Sequence, residues 1–536
     1  MSSESSPSSQ SSPSSQSSPS STPSARRNPT RTGVRRPLLA LGAAALLVPV
    51  AACGGSPGDS GSGSGDQRLR AVMAFPPAQA MSPYGDDAVT LSRLSVIEGL
   101  TRIDEDGAAE PALATKWRRD GDKGWEFTLR DARFQDGGAV DAEAVVRSLT
   151  AAQAASPRPR VLSDVRLTVE AGGERTVRVT TDEADPLLPQ RLANPSLAIL
   201  SEAAYEKGAK GTQVNPAGHA TGPYTLTKVN GAVSATLERN DTYWGGKAKA
   251  PGVDVKFVAD GTARANALRT GSADIAEYVP VAQVSLLEEK QIHEVPTART
   301  NTLYLNTGRG AFADPAIRAA ARAAIDSKAL VDGVYEGRAD TARGLLGPGV
   351  PWAADAREAP EGRAEPAGRA EVAKTKQIVL ATYTNRPELP EVASAVQQQL
   401  EARGFTVKQY VRDYAQMEAD ALAGRYDAFI QARNTLLDTA DPVSYLGSDF
   451  TCEGSFNISQ LCDQGVDEAV AKAAGADGLT ARHTAEMRAE AKILGADAAV
   501  PLVHERFVQG FDSGKVAGVA LDPMERRLIT ADTRLR

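Results

Sequence analysis

The 536-residue chain has few cysteines, histidines and aromatic side chains: three Cys, four His, and Phe, Tyr and Trp together at 5%. Three cysteines in a chain of this length exclude a disulfide-dense small fold and a zinc-ribbon array. Four scattered histidines argue against a His-rich metal site. The formal net charge is −7, so the chain lacks the excess of basic residues that binding to nucleic acid requires. We therefore expect no nucleic-acid partner.

The sequence also lacks a hydrophobic run long enough to span a membrane. The apolar run Leu38–Ala52 falls short of the roughly 20 residues required, and Pro49 interrupts it. Arginines between Arg26 and Arg36 precede it and small residues end it, a pattern typical of an export signal. Residues 1–24 are almost entirely Ser, Pro and Gln, which predicts disorder.

The end of this signal resembles the bacterial lipobox. In Val50-Ala51-Ala52-Cys53-Gly54 the cysteine stands where a lipobox thiol receives a diacylglyceryl group and becomes the new N-terminus. A free or buried cysteine is the alternative. We predict a disordered N-terminal extension and a signal peptide over 1–52. A Gly/Ser tether over 53–67 would then link the folded body to the membrane.

Two questions about this segment stay open. Arg35-Arg36 is compatible with a twin-arginine export signal as well as with the general secretory route. Translation starts either at Met1 or, by hypothesis, at Val34, which would leave a compact signal peptide.

The body alternates β-rich runs with Ala-rich helical stretches, which predicts an α/β or α+β protein in at least two lobes. Asp314-Pro315 precedes apolar residues at helical spacing and predicts a helix with an aspartate cap. Gln377–Tyr383 begins a predicted βαβ unit whose helix ends at Gly404. Thr225–Arg239 predicts a hairpin, and Ala354–Lys376 a solvated loop outside the core.

Several segments from about residue 94 to the C-terminus resemble the solute-binding proteins of ABC transporters, in the oligopeptide, dipeptide and nickel family (family 5). Each motif alone is weak, but their number, order and spacing make chance agreement implausible. The segments are Val96–Arg102 (VIEGLTR), Pro111–Ala114, Phe127–Asp131, Phe134–Gly137, Asp141–Val145, Thr221–Tyr224, Arg239–Trp244 (RNDTYW), Gly271–Ile275, Leu305–Thr307, Phe312–Asp314 and Ala324–Asp326.

The resemblance implies a periplasmic-binding-protein type II-like fold, with two α/β lobes that close about a hinge and an extra small lobe. The chain would cross between these lobes more than once. The expected division is 68–101, 219–300 and 509–536 in the first lobe, 102–218 in the small lobe and 301–508 in the second main lobe.

The resemblance also implies a ligand-binding aspartate. In peptide-binding members an Asp just upstream of an Asp-Pro pair holds the ligand's α-ammonium, and Asp438 has the matching offset from Asp441-Pro442. Asn434 and Thr435 replace the Gly-Trp that usually precedes it, and we include both as candidate ligand contacts. A solvated loop carboxylate is the alternative for Asp438, and a helix N-cap explains Asp441 better.

Cys452 and Cys462 form an even pair once Cys53 carries lipid. Outside the membrane such a pair predicts a disulfide, with buried free thiols or metal ligation as alternatives. His504-Glu505-Arg506 lacks the second histidine of a gluzincin helix, because position 508 is Val. His219 and His504 are possible residues of the cleft.

We therefore expect a membrane-anchored, extracytoplasmic and monomeric solute-binding protein that delivers a peptide-like or amino-cationic ligand to an ABC permease. No cofactor or bound metal is expected. The alternatives are a metal-chelate (nickel-type) binding protein and a ligand-sensing receptor that does not import. An exported hydrolase is disfavoured, because neither a nucleophile–base motif nor metal ligands at motif spacing occur in the sequence.

Overall fold

The computed structural model describes residues 67–104, 107–156, 158–205, 214–436 and 438–536, so the predicted signal, Cys53 and most of the tether lie outside the described residues. Its strands are β1 (Leu69–Met73), β2 (Thr101–Ile103), β3 (Ala109–Pro111), β4 (Ala114–Arg119), β5 (Gly124–Leu129), β6 (Leu167–Gly173), β7 (Thr176–Thr181), β8 (Tyr224–Asn230), β9 (Ser234–Arg239), β10 (Gly252–Phe257), β11 (Ile275–Val279), β12 (Ile292–Leu305), β13 (Ala339–Thr341), β14 (Ile378–Tyr383), β15 (Val407–Arg412), β16 (Ala428–Asn434), β17 (Ala499–Phe511), β18 (Val516–Ala517) and β19 (Arg534–Leu535).

Helices alternate with these strands along the chain. They are α1 (Asp87–Arg93), α2 (Ala142–Ala154), α3 (Leu188–Arg191), α4 (Gly261–Arg269), α5 (Val281–Val284), α6 (Pro315–Ala324), α7 (Ser327–Gly333), α8 (Ala353–Ala356), α9 (Arg369–Val372), α10 (Glu388–Arg403), α11 (Glu418–Leu422), α12 (Pro442–Phe450), α13 (Gln464–Ala474) and α14 (Leu479–Gly495). Among the residues that the structure describes, none of these helices is long and apolar enough to cross a membrane.

One mixed sheet runs through most of the molecule in the order β15-β14-β16-β12-β17-β11-β1-β10-β9-β8. Its middle is a pair of long antiparallel strands, β12 and β17, of 14 and 13 residues. The first half of β12 pairs only with β17, whereas Arg299–Leu305 also pairs with β16. The pairing of β12 with β17 shifts register between Pro296 and Thr300, which marks the place where these strands can bend.

The three largest of five hydrophobic clusters in the described residues mark three lobes, which we name after them. The first lobe packs around Leu69, Tyr224 and Ile275, and the small lobe around Phe127, Val145 and Val177. The second lobe packs around Leu303, Leu380, Val396 and Phe429. The small lobe has its own sheet, in the order β4-β5-β7-β6, against which α2 packs. The lobe boundaries stated above stay a prediction.

Local sequence signals fold as predicted in the second lobe. Asp314 caps α6 by accepting a hydrogen bond from the Ala316 amide at 2.8 Å, and Pro315 is the first helical residue. The predicted βαβ unit forms from β14, α10 and β15, with β14 and β15 parallel. Gly404 ends α10 with φ 111°, a left-handed conformation that favours glycine.

The segment Ala354–Lys376 is more ordered than the predicted solvated loop. It contains most of α8 and all of α9, and ion pairs fasten it to the second lobe. Arg357 contacts Glu490 at 2.9 Å, and Arg363 contacts Asp497 at 3.3 Å. The sequence prediction failed because the partners of these arginines are supplied by α14 and the residues after it, more than 130 positions away.

A disulfide joins Cys452 to Cys462 across a sequence separation of 10 residues. Replacing both cysteines with serine should lower the free energy of unfolding by about 2–3 kcal/mol, because the unfolded chain loses a loop constraint. Chemical denaturation measures this. In the full chain carrying Cys53→Ser, thiol titration should find no free thiol before reduction and both after it. Free thiols in the non-reduced denatured protein would contradict the bridge.

Candidate ligand-binding site

The first and second lobes meet at a set of buried and half-buried residues, six charged and one tyrosine, where β11, β12 and β17 converge. We call this set the seam. Its members are Arg93, Glu277, Tyr278, Arg299, Arg386, Glu505 and Glu525.

Each guanidinium of the seam has a carboxylate of the chain as partner. Arg93 pairs with Glu277 at 2.9 Å, and both side chains are 5% exposed or less. Arg299 Nε donates to Glu525 Oε1 at 3.1 Å. Arg386 Nη1 donates to Glu505 Oε2 at 2.8 Å, and so ties the second lobe to the strand pair. Three guanidiniums, one buried and two half-buried, are therefore matched by three carboxylates, two buried and one half-buried.

Tyr278 connects these pairs. Its hydroxyl accepts a hydrogen bond from Arg93 at 2.6 Å and donates to Glu525 at 2.5 Å. Burial alone would raise the pKa of Glu525, but Arg299, Arg386, the Tyr278 hydroxyl and Arg93 lower it to about 2. Glu525 is thus ionised at any physiological pH.

Aromatic rings border the seam. The Tyr278 ring contacts Phe75 and Phe507 edge to face, with centroid distances of 5.8 and 5.2 Å. Phe75 is 48% exposed, which is unusual for a large apolar side chain and marks the open side of the seam. Tyr278 has φ 46°, a strained conformation for a non-glycine residue that is common at binding sites.

The loop that follows β16 carries the predicted ligand residues. Asn434 and Thr435 are buried, and both side chains are engaged with backbone: Asn434 Oδ1 accepts from the Leu436 amide at 2.9 Å, and Thr435 Oγ1 donates to the Ala298 carbonyl at 3.0 Å. In this structure they hold the loop, and a contact with ligand stays a prediction for both.

Asp438 lies half-buried on this loop, and its backbone carbonyl accepts a hydrogen bond from Asn194 of the small lobe at 2.7 Å. Within the described part of the chain its carboxylate makes no hydrogen bond or ion pair. Its electrostatic neighbours are Arg433 and Arg526. Asp441 behaves as the predicted cap of α12 and accepts from the Val443 amide at 3.0 Å.

Arg433 supports this loop from the end of β16. It donates two hydrogen bonds of 2.9 Å to the buried carboxylate of Asp449. Phe456, which lies inside the disulfide loop, packs over the guanidinium at 4.8 Å. The disulfide therefore holds an aromatic ring next to the Asp438 loop.

A cavity of about 500 Å³ opens between the small lobe and the second lobe, and Asp438 forms part of its wall. Seven carboxylates and two guanidiniums line it, so its wall is acidic. These are Asp164, Asp182, Glu183, Asp185, Asp438, Glu453 and Asp467, with Arg160 and Arg191.

Two tyrosines in edge-to-face contact connect the surroundings of this cavity with those of the seam. The ring centroids of Tyr383 and Tyr414 are 5.0 Å apart. Burial raises the pKa of both hydroxyl groups. The charges of Arg386 and Arg299 in the seam lower the pKa of Tyr383, and those of Arg160 and Arg433 beside the cavity lower the pKa of Tyr414. The seam, the tyrosines and the cavity are therefore neighbours along one face of the second lobe.

The histidines do not form a reactive or metal-binding group. His504 is buried on β17 and contacts Thr300 Oγ1 at 2.9 Å, and burial together with Arg357 lowers its pKa to about 4. His219 Nδ1 contacts Asp136 Oδ2 at 3.1 Å and lies 3.5 Å from the Ser201 hydroxyl, which donates to the same carboxylate oxygen, so Asp136 and Ser201 meet one ring nitrogen and not opposite nitrogens as in a catalytic triad. No group of three or more potential metal ligands occurs in the described ranges.

Behind the Asp438 loop, α14 buries a carboxyl group without a partner. Arg482 Nε donates to Asp441 at 2.8 Å. Glu486, one turn further along α14, is fully buried, and neither of its carboxyl oxygens has a hydrogen-bond partner among the described residues. Burial, followed by the negative charge of Asp441, raises the pKa of Glu486 well above its ordinary value.

Sequence reasoning predicted the disulfide, which forms, and singled out Asp438, whose contact with ligand stays a prediction, but it missed the seam. Arg386 follows the carboxyl end of β14 in the open sheet, a position where α/β proteins commonly bind ligands, and that signal was available in Asn385-Arg386-Pro387. Glu525 and Tyr278 gave no such signal, because their neighbours come from distant parts of the chain.

Two main lobes joined by a bendable strand pair and a charged seam, with an acidic cavity between the small lobe and the second lobe, define a binding protein that can close on a ligand. The family model of bacterial extracellular solute-binding proteins, family 5, middle region, matches residues 108–457. The chain belongs to this family, whose members serve as solute-binding components of ABC importers and are binding proteins rather than enzymes.

Known proteins agree with this assignment. A probable D,D-dipeptide-binding periplasmic protein of Escherichia coli K12 is 28% identical over 441 residues, which cover 79% of this chain and 84% of that protein. A dipeptide-binding protein of Bacillus subtilis 168 is 26% identical, over 87% of this chain and 92% of its own length.

Solved structures share the type II periplasmic binding protein fold. A nickel-binding protein of Staphylococcus aureus, solved with Ni(L-His)2, superposes with a TM-score of 0.73 at 22% identity and covers 88% of this chain and 100% of that one. A dipeptide-binding protein of Pseudoalteromonas sp. SM9913, solved with Met-Leu, gives a TM-score of 0.75 at 18% identity with the same coverage.

Glu486→Gln should stabilise the protein increasingly as the pH rises. A carboxyl group with a raised folded-state pKa favours folding below its unfolded pKa and loses that contribution as the pH rises towards the folded value. The amide cannot deprotonate, so the variant's melting temperature should exceed that of the wild type by a margin that widens from pH 5 to pH 9. Parallel curves across this range would contradict the assignment.

Proposed function

We propose that this chain is a lipid-anchored receptor that captures a peptide-like or amino-cationic solute outside the membrane and delivers it to an ABC permease. The observation that carries the proposal is the Asp438 carboxylate, which has no hydrogen-bond or ion-pair partner in the described chain and lines a cavity between two lobes. A carboxylate in a closing cleft suits an ammonium group of a ligand. The dipeptide-binding relatives support a ligand of this class.

Lobe closure supplies the binding step. The seam carries balanced charges where the lobes meet, so closing it buries no net charge. The strand pair with its register shift at Pro296–Thr300 supports rotation of one lobe against the other. A monomer is sufficient for this mechanism. The permease would bind the closed form of the protein.

A metal-chelate ligand is the second candidate, favoured by the likeness in fold to a nickel-binding protein solved with Ni(L-His)2. Native mass spectrometry of the full chain carrying Cys53→Ser, purified without denaturation, should show a retained small molecule. Thermal shifts with di- and tripeptides and with Ni(L-His)2 separate the two candidates. No retained molecule and no shift with any of them would contradict the proposed function.

Asp438→Asn should weaken binding of an amino ligand by about ten- to hundredfold, because a charge-assisted hydrogen bond contributes about 1.5–3 kcal/mol. Isothermal titration calorimetry measures the change, with the di- or tripeptide that gives the largest thermal shift as the titrated ligand. Asp332→Asn, at an exposed aspartate paired with Lys328, is the matched control and should leave affinity unchanged. Equal affinity of the Asp438 variant and the wild type would exclude this carboxylate from the ligand site.

Cys53→Ser should release the protein from the membrane, since two acyl chains are needed for stable anchoring. Fractionation of cells that express the full chain should move the variant to the soluble extracytoplasmic fraction, and palmitate labelling should disappear. Ser56→Ala, in the same tether, is the control and should stay in the membrane fraction. Retention of the Cys53 variant in the membrane would contradict lipid anchoring.

A further inference from the structure

The half-buried arginines of the seam, Arg299 and Arg386, are already paired with carboxylates of the chain itself. Arg386 binds Glu505 at 2.8 Å, and the Glu505 side chain is only 12% exposed. Arg299 binds Glu525 at 3.1 Å and lies 3.9 Å from Glu505. A ligand carboxylate that entered this seam would add a negative charge to a balanced, desolvated group of ions, which is costly.

Displacing one of the chain's own carboxylates is costly as well. If a ligand took Arg386, Glu505 would keep only the longer contact with Arg299, whose closer partner is Glu525. Glu388, at the start of α10, is a further acidic neighbour: burial, and then the charge of Glu505, raise its pKa. The released carboxylate would therefore lie among other carboxylates, with too little positive charge to stabilise it.

The acidic cavity next to the seam, in contrast, has more carboxylates than arginines. Of its two arginines, Arg191 is held by Asp164 at 2.8 Å and Asp185 at 2.7 Å. The other, Arg160, is solvent-exposed at the rim, where its guanidinium lies 5.7 Å from the Phe456 ring. The wall near Asp438 thus has an excess of carboxylates and favours positive charge.

We propose that the ligand of this protein is recognised through cationic groups and brings no carboxylate to the seam, and that Glu505 and Glu525 are the residues that exclude carboxylate. The ligand class is an amine with one or more further cationic or neutral groups, such as a diamine or a peptide-like compound whose C-terminus is amidated or otherwise blocked. This inference rests on the proposed function, because it names the ligand class of the same cleft.

The test compares matched ligands on the full chain carrying Cys53→Ser. A set of di- and tripeptides is prepared both as free acids and as C-terminal amides, and putrescine and agmatine are added as amines without a carboxylate. Isothermal titration calorimetry should show the amides or the amines binding at least about tenfold more tightly than the free acids. Free acids that bind as tightly as their amides would overturn the inference and leave the proposed function standing.

Glu505→Gln tests the role of the seam directly. Removing this negative charge makes Arg386 available, so the affinity for free acids should rise by about tenfold or more while that for amides changes little. Glu238→Gln, at an exposed glutamate paired with Arg68, is the matched control. No gain for free acids in a folded Glu505 variant would overturn the assignment of this residue.

The remaining outcomes are separable. Free-acid binding that is lost in Arg160→Gln would show that the rim arginine takes the carboxylate, which also overturns the inference. If acids, amides and amines all fail to bind the wild-type chain, the proposed peptide-like or amino-cationic function fails, and the inference fails with it. The comparison of acids with amides in the wild type does not depend on any variant folding.

Discussion

The structure depends on one pair of strands, β12 and β17, which belong to the sheets of both main lobes at once. Their hydrogen bonds run through the place where the lobes meet, so the lobes cannot separate without breaking a ladder that also builds each core. The strand pair departs from regular register twice near the seam, between Pro296 and Thr300 and between Asn301 and Thr302, and Gly349 packs against the backbone of Thr297, where a side chain would collide. The pair can bend most readily in this segment.

Charge placement follows from that constraint. Because the seam is largely removed from water next to the strand pair, each of its guanidiniums needs a carboxylate close by, and the chain supplies these carboxylates from β11, β17 and the C-terminal segment. The cavity beside the small lobe is not under the same constraint, since water reaches it and several of its carboxylates stay exposed. The difference in burial therefore explains the difference in charge. The charges are balanced at the seam, where the lobes meet, and negative charge is in excess in the cavity, which is open to water.

The sequence predicted those features that neighbouring residues decide. Three such features form as predicted, and each depends on residues only a few positions apart in the sequence. They are the cap at Asp314, the glycine that ends α10, and the hairpin of β8 and β9. The family motifs also have local physical reasons: Glu98 accepts hydrogen bonds from Tyr243 and Trp244 at 2.8 and 2.9 Å, which joins two of the recognised segments. The seam could not be predicted, because Tyr278, Arg386 and Glu525 come together only when distant segments fold.

The hydrogen bond from Asn194 to the backbone of Asp438 has a consequence for engineering. The position of this carboxylate is set jointly by the small lobe, by Ala298 in the strand pair and by the loop itself. On the proposed role of Asp438, ligand preference is not a property that one loop can carry alone. A chimera that moved only residues 434–442 into a relative would carry the right side chains on an unsupported backbone. Transfer of specificity requires three segments, hundreds of positions apart in sequence, to move as one block.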